Sequence, residues 1–428
     1  VRNLKIIFFI LFLVSGFVAC KMGSHSPAFT PPLNEQRQDE TAPTLGKMTQ
    51  EAHWIATATV EEVQNWKDRK DWFVVTLKPI QILKGSPVSS LKLLYQKLFP
   101  NEPPLFVPSQ KILIFLNQLP PYTAYQELRS VGVSFEVLGG AHGVVSDPQE
   151  QSYVSKFVVE SLKLDLPLTP SLKNLYLHYL QHSPSKILRE DLSQEIFHLD
   201  GPATYLSTED LRVLSKLVTS STFPDEGKTQ LVRGISQMPP DESNSILKGF
   251  FCLSPSAVCL QSAQTLESRG VHLPVQEYSE ALEKAPPDLK LGLFAILGRH
   301  KRVEAYPLFE KALAREKDEK SAAAILEALG DLGNTQAETL CLLYAKDTRY
   351  YVRLAVVTSL GKLKSEKGIP VLEEALKTPD PTMVTVAAQS LQEIDTPEAR
   401  KTLSKYYEKE HHGYWEPTAP EHFLPPHK

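Results

Sequence analysis

The 428-residue chain carries little excess charge, few cysteines, and no long apolar run after its first residues. Its net charge of −4 is spread without long stretches of one sign, so it offers no basic surface to neutralise phosphates, and nucleic acid is excluded as the expected partner. Once the amino-terminal run Ile6 to Val14 is set aside, no segment reads as membrane-embedded. No Gly-x-Ser-x-Gly elbow, Walker loop, dinucleotide fingerprint or Cys-x-x-Cys pair occurs. The sequence therefore encodes no recognisable reaction; the chain is expected not to be an enzyme and to need no cofactor or metal. Cysteine is confined to Cys20, Cys252, Cys259 and Cys341.

What is present is dominated by a period between about residues 289 and 410. Leu329, Leu360 and Leu391 recur at a spacing of 31, with Leu297 before them and one extra residue absorbed between. They are followed by Gly298, Gly330, Gly361 and then Gln392. Ala305, Ala337, Gly368 and Ala399 make a second column in the same phase, and Phe309, Cys341, Leu372 and Leu403 a third. Such a period, with two apolar helix faces per unit, predicts a helical solenoid whose repeats bury their faces only by stacking.

In the best unit Val352, Ala355, Val356, Ser359, Leu360 and Leu363 fall at helical spacing, a second helix follows over Gly368 to Leu376, and Thr378-Pro379-Asp380-Pro381 ends it. The segment DTRYYVRLAVVTSLGKLKSEKGIPVLEEALKTPDP resembles a HEAT-like repeat. That resemblance implies that Arg353 ties one repeat to the next. The equivalent Ala322 and Val384 are not basic, so no continuous charge ladder is expected.

At the amino terminus Arg2 and Lys5 precede the apolar core, and Ser15-Gly16-Phe17-Val18-Ala19-Cys20 follows. These are the parts of a secretory signal. The approach to Cys20 resembles the lipobox of bacterial lipoproteins, with Phe17 in place of the usual aliphatic residue; the resemblance implies that the Cys20 thiol receives diacylglycerol and becomes the mature amino terminus. The alternative is a secreted, unlipidated chain. Residues 20–50, rich in Ser, Thr, Pro and charge, read as a disordered tether.

From residue 51 to 150 the pattern turns to short β-rich runs: Ile55 to Val60, Trp72 to Leu77, Leu91 to Tyr95, Ile112 to Leu116 and Val133 to Val137, punctuated by Gly and Pro. They predict a small antiparallel β-barrel. Their order, with ATATVEEV, FVVTLKPIQILKG, KILIFL and GGAHGVV, resembles the OB-like domain of the tissue inhibitors of metalloproteinases. In that family a free amino-terminal cysteine meets the protease zinc, and no cysteine lies in this segment to do so. Residues 151–288 read as helices without a clean period, degenerate members of the same solenoid; Ser207 and Asp210 resemble a capping box.

Candidate chemistry outside the repeats is sparse. His178 and His182 are four apart on an expected helix, a spacing that can hold a metal, but Tyr179 replaces the glutamate a zinc peptidase needs. His411, His412, His422 and His427 are scattered through the 411–428 tail, and His142 fits a tight turn allowed by Gly139, Gly140 and Gly143. Glu61-Glu62 and Glu373-Glu374 fit solvated faces. Cys341 falls in an apolar column, whereas Cys252 and Cys259 are a candidate disulfide if Ser254-Pro255 folds the chain between them; the sequence leaves bonded and free states open.

The expected chain is thus multi-domain: a signal over 1–19, a tether over 20–50, an antiparallel OB-like β-barrel over 51–150, a degenerate helical region over 151–288, HEAT-like repeats over 289–410 and a tail over 411–428. It would be anchored through Cys20 to a membrane of a bacterial cell envelope, on the periplasmic or extracellular face. There it would bind a protein partner through the repeat surface. A regulator or inhibitor acting through the barrel is the alternative, and an enzyme with an unrecognised site the third reading.

Overall fold

The computed structural model describes residues 43–66, 71–97, 103–121, 125–164, 168–199 and 205–411. The expected signal, Cys20, most of the tether, and His412, His422 and His427 lie outside them. Two compact units result: one holds Ala52–Val144, the other Thr44–Glu51 and the chain from Val145 onward.

In the first unit the strands are β1 (Trp54–Asn65), β2 (Trp72–Lys84), β3 (Leu91–Gln96), β4 (Lys111–Gln118), β5 (Val133–Val137) and β6 (Val144–Val145). All five expected runs are strands. The sheet order is β1-β2-β3-β5-β4-β6, and β1 also pairs with β4. The pairings β1 with β2, β2 with β3, β4 with β5 and β1 with β4 are antiparallel, but β3 and β5 run parallel. The sheet is therefore mixed, which corrects the expectation of a purely antiparallel one. Hydropathy period fixes which residues are strand, whereas the partner across each ladder depends on how the chain returns after β4. Register shifts between Ile55 and Ala56, Thr57 and Ala58, and Val60 and Glu62 increase the coiling of β1, so that this long strand serves two neighbours.

Alternation sets the core of this unit. Ala56, Ala58 and Val60 of β1, Val75 and Leu77 of β2, Leu91 and Leu93 of β3, and Ile112, Ile114 and Leu116 of β4 meet in one buried cluster with Trp54 and Phe106. Each such aliphatic side chain contributes roughly 1.5–3 kcal/mol relative to exposure. A smaller cluster gathers Leu94, Leu119, Tyr125 and Val133 around Leu128 of a short helix between β4 and β5.

The second unit contains 17 helices among the described residues. Its first, α1 (Leu45–Glu51), lies at the end of the expected tether, yet Leu45 and Met48 are fully buried. The short helix after β4 is α2 (Gln126–Ser130). Next come α3 (Pro148–Ser161), α4 (Leu168–His182), α5 (Lys186–Glu195), α6 (Thr208–Thr219), α7 (Asp225–Ile235) and α8 (Pro240–Phe250). They are followed by α9 (Ser256–Ser268), α10 (Val275–Lys284), α11 (Pro287–Arg299), α12 (Tyr306–Leu313) and α13 (Glu319–Leu332). The last are α14 (Thr335–Leu343), α15 (Tyr350–Lys362), α16 (Ile369–Ala375), α17 (Pro381–Ile394) and α18 (Pro397–His411).

From α5 to α17 the odd-numbered helices pack one on the next as a layer, and even-numbered helices such as α4 on α6, α12 on α14 and α16 on α18 form a second layer. The region expected to be irregular thus follows the same alternation. Asp147 caps α3 through Gln149 and Glu150, and Ser207 with Asp210 forms the capping box expected for α6. Among the described residues no helix is long and apolar enough to cross a membrane.

Two half-buried carboxylates hold α1. The Leu45 N–H donates to Asp191 at 2.8 Å, and Thr44 and Tyr176 hydroxyls donate to Glu195 at 2.6 and 2.9 Å. This satisfies amide donors that a helix start leaves open. Burial raises the Glu195 carboxyl above the usual range against the opposing effect of those hydrogen bonds.

Candidate functional site

The repeat surface is built on the columns visible in the sequence. Leu297, Leu329 and Leu360 are fully buried and Leu391 is nearly so. The glycine that follows each leucine allows the next odd-numbered helix to approach closely. A Cβ at Gly330 would stand 2.8–2.9 Å from Ser359, and one at Gly361 2.7–2.8 Å from Ser390, closer than unstrained carbon contacts allow. The small residues use that approach: Ser359 Oγ donates to the Leu326 carbonyl and Ser390 Oγ to the Val357 carbonyl, each at 2.9 Å. Gln392, at the fourth position of the glycine column, is exposed on α17, the last odd-numbered helix among the described residues.

The turns repeat as well. Gly270, Lys301, Gly333, Lys364 and Asp395 all have positive φ, a left-handed stop after each odd-numbered helix from α9 to α17. This column extends the period one unit before Leu297 and places Leu266-Glu267 in the Leu-Gly register. Glu267 is buried and receives Arg302, the Tyr278 hydroxyl at 2.9 Å and His272 Nδ1 at 2.6 Å. Arg302 also donates to the Leu273 carbonyl at 2.8 Å. Burial, followed by the Glu267 carboxylate, pushes the Tyr278 phenol upward. The Glu267 carboxylate is satisfied as a structural tie between successive repeats, and its signal in the sequence was an acid in a glycine column.

Arginine ties were expected at Arg353, but its guanidinium donates to the Asp347 and Thr348 carbonyls of its own repeat, each at 2.8 Å. Arg349 reaches the preceding repeat instead, donating to the Glu316 carbonyl at 3.2 Å while paired with Asp347 at 2.8 Å. Arg269 does the same earlier in the unit, donating to the Ser236 and Met238 carbonyls at 2.7 Å. Loop carbonyls, not a fixed sequence column, determine which arginine makes the tie.

Where odd-numbered helices begin, this edge of the stack stays open. Tyr351 is 47% exposed and Leu343 75% exposed, and the Tyr351 N–H donates to the Glu319 carboxylate at 2.6 Å. One repeat earlier, α10, α11, α12 and α13 surround a groove of about 660 Å³ with Leu291, Phe294, Leu308 and Ile325 in its wall. Lys311 crosses to Glu283 at 3.2 Å over its rim. The arrangement has the elements of a protein interface, an apolar floor beside exposed aromatic and basic groups.

Other candidate groups fall apart or stand alone. His178 and His182 are exposed on α4 with ring centroids 5.0 Å apart, and among the described residues no three His, Cys, Asp or Glu are grouped to hold a metal. His142 is exposed in the tight turn; Gly139 and Gly140 have positive φ, and a Cβ at Gly143 would collide with the Leu138 carbonyl. Glu61, Glu62, Glu373 and Glu374 are exposed, and Glu373 pairs with Lys377 at 3.0 Å. His411 ends α18. Cys341 is buried and its thiol is pushed up to about 12 by burial.

Cys252 and Cys259 are brought together by the break between α8 and α9. Both are free thiols here; Cys252 is exposed and Cys259 buried. The Cys252 N–H donates to Cys259 Sγ at 3.0 Å. Hydrogen bonding from the Cys252 side chain lowers the Cys259 thiol against burial, while the same bond raises Cys252.

Residues 337–415 match the family model described as HEAT repeats. No curated protein matches the chain. Among solved structures, it is similar to human deoxyhypusine hydroxylase in complex with glycerol, at 15% identity over 58% of this chain and 97% of that one, with a TM-score of 0.26. An engineered protein is 14% identical over 61% and 80% of the two chains, with a TM-score of 0.34. The complex of CpcE and CpcF of phycocyanin lyase from Nostoc sp. is 12% identical over 55% and 94%, with a TM-score of 0.29. HEAT-type helical repeats therefore form the C-terminal region. The expectation of a non-enzyme is corrected, because the hydroxylase among these neighbours is an enzyme. At that TM-score it assigns no reaction to this chain.

Proposed function

We propose that this chain is an extracytoplasmic, lipid-anchored binding or scaffold protein of a bacterial cell envelope that engages a protein partner through its helical repeats. The observation that carries the reading is the open edge of the stack, where Leu343 and Tyr351 are exposed beside a groove with an apolar wall. Stacked repeats keep their core columns buried while the edge side chains are free to match a partner. The anchor would be acyl groups on Cys20, supported by the basic and apolar signal pattern before it. Residues 21–42 would act as the spacer, since the helical unit already begins at Thr44.

In this reading the first unit is an OB-like barrel. Its support is the strand pairing itself, which passes from β1 through β2, β3, β5 and β4 and returns to β1. A regulatory role for it is the second reading, although no cysteine lies between residues 51 and 150 to supply an inhibitor's zinc-binding terminus.

Pulldown from detergent-solubilised envelope tests the assignment, with the intact chain set beside the double variant Leu343→Ser, Tyr351→Ala. Both residues are exposed, so the fold should survive. Loss of the captured partner with unchanged melting is expected. Undiminished capture, together with loss on altering exposed Ile80 and Val107 of the first unit, would move recognition to the barrel.

A further inference from the structure

We propose that the groove between α10, α11, α12 and α13 is a docking site for an acidic peptide segment of a partner protein, with an apolar side chain seated on Leu291 and Leu308 and carboxylates paired with Lys290 and Arg315. This rests on the reading of the repeats as the recognition surface and names the partner's chemistry.

Charge bookkeeping around the groove selects the sign. Its lining holds three cations, Lys290, Lys311 and Arg315, and three acids, Glu283, Glu316 and Asp318. The acids are engaged: Glu283 pairs with Lys311 at 3.2 Å, Glu316 accepts the Asp318 N–H at 2.9 Å, and Asp318 caps α13 by accepting the Ser321 N–H at 2.8 Å. Among the described residues, the side chains of Lys290 and Arg315 have no such partner. The site thus keeps two cations without a side-chain partner, whereas each of its acids already accepts a hydrogen bond or pairs with a cation. A carboxylate-bearing segment would pair with both cations.

The apolar wall asks for more than charge. Leu291 and Leu308 are half-buried over the buried Phe294 and Ile325, a floor that an inserted Leu or Phe would cover. A volume of about 660 Å³ is enough for several side chains and too large for a single ion. The site also adjoins the exposed Tyr351, because the Glu319 carboxylate that receives the Tyr351 N–H follows directly on Asp318. Aromatic and arginine side chains at the rim are the residue types that anchor protein interfaces.

A random-peptide phage library selected against the intact chain provides the test. Selected peptides are expected to carry Asp or Glu beside Leu or Phe and to bind Lys290→Glu, Arg315→Glu protein about tenfold more weakly, since two attractions become repulsions. Selection against that double variant is expected to change the preference to Lys or Arg beside the same apolar residues, a reversal that misfolding cannot imitate. Leu291→Ser should weaken both peptide sets. Peptides without an acidic preference, or an acidic preference that persists in the double variant, would overturn the site. If either occurs while Leu343→Ser, Tyr351→Ala still abolishes partner capture, the groove proposal fails and the repeat reading stands.

Discussion

Adding one methyl group at Gly330 tests the packing rule on which the repeats are built. In an open helix Gly→Ala stabilises by up to about 1 kcal/mol, because alanine loses less backbone entropy. Here the new Cβ would lie 2.8 Å from Ser359 Cβ, 2.9 Å from its Cα and 2.9 Å from its Oγ. Carbon pairs prefer about 3.5–4.0 Å, so α13 and α15 must separate by roughly 0.7 Å or more. Ser359 cannot simply rotate away: its Cα is part of the clash, its Oγ is bonded to the Leu326 carbonyl at 2.9 Å, and α17 packs behind α15.

Overpacking of this kind costs about 1–3 kcal/mol, which exceeds the propensity gain. Gly330→Ala should therefore destabilise by up to about 2 kcal/mol net. Gly249 in α8 supplies the control, since a Cβ there meets nothing within 4 Å. Gly249→Ala should leave stability unchanged or raise it by a few tenths of a kcal/mol. Urea unfolding followed by far-UV circular dichroism reads both variants against the parent. A Gly330→Ala protein as stable as Gly249→Ala would refute the claim that the glycine column exists to let repeats close up.

Leu360→Asp puts a carboxylate into a fully buried position at a cost of several kcal/mol against a total of about 5–15; an unchanged melting temperature would show the repeat register to be wrong. Glu195 has a pKa raised by burial, so the native state holds its proton more tightly than the unfolded chain, and its stabilising contribution, present below the ordinary glutamate value, is lost as pH rises through the raised one. Glu195→Gln should flatten the fall in melting temperature across that window, and an unchanged pH profile counts against the assignment. Cys252 and Cys259 are free thiols in this structure but adjacent, with the Cys252 N–H donating to Cys259 Sγ at 3.0 Å; in an oxidising compartment mass analysis of unreduced protein should find their peptides linked, and free thiols on both would exclude that disulfide. Clickable fatty acid should label the parent chain and not Cys20→Ser; label that persists in the variant would place acylation elsewhere.

Sequence pattern served best where one residue type has one physical use. Leucines recurring at 31 had to be a buried column, and the Ser254-Pro255 break did bring Cys252 to Cys259. Gln392, which breaks the glycine column, is exposed on the last odd-numbered helix among the described residues, so no close approach like that at Gly330 and Gly361 is seen there. Three features were not legible for the same reason: their partners are distant in sequence. The parallel pairing of β3 with β5 depends on the path of the chain after β4. Residues 44–51 look like tether until Asp191 and Glu195 receive them. Arg353 fits the family pattern, yet Arg349 makes the inter-repeat contact, because a guanidinium goes to whichever carbonyls the neighbouring loop leaves open. The groove had no motif of its own, as its cations belong to α11, to α12 and to the loop after it.

Site-specific photo-crosslinking in intact cells tests the central claim most directly. A crosslinking amino acid placed at Tyr351 or Leu343 of the repeats, and in parallel at Ile80 or Val107 of the first unit, reports which surface touches the partner; all four residues are exposed. Recognition through the repeats predicts one discrete adduct from Tyr351 and Leu343 and none from Ile80 or Val107. An adduct formed only from Ile80 or Val107 would contradict it.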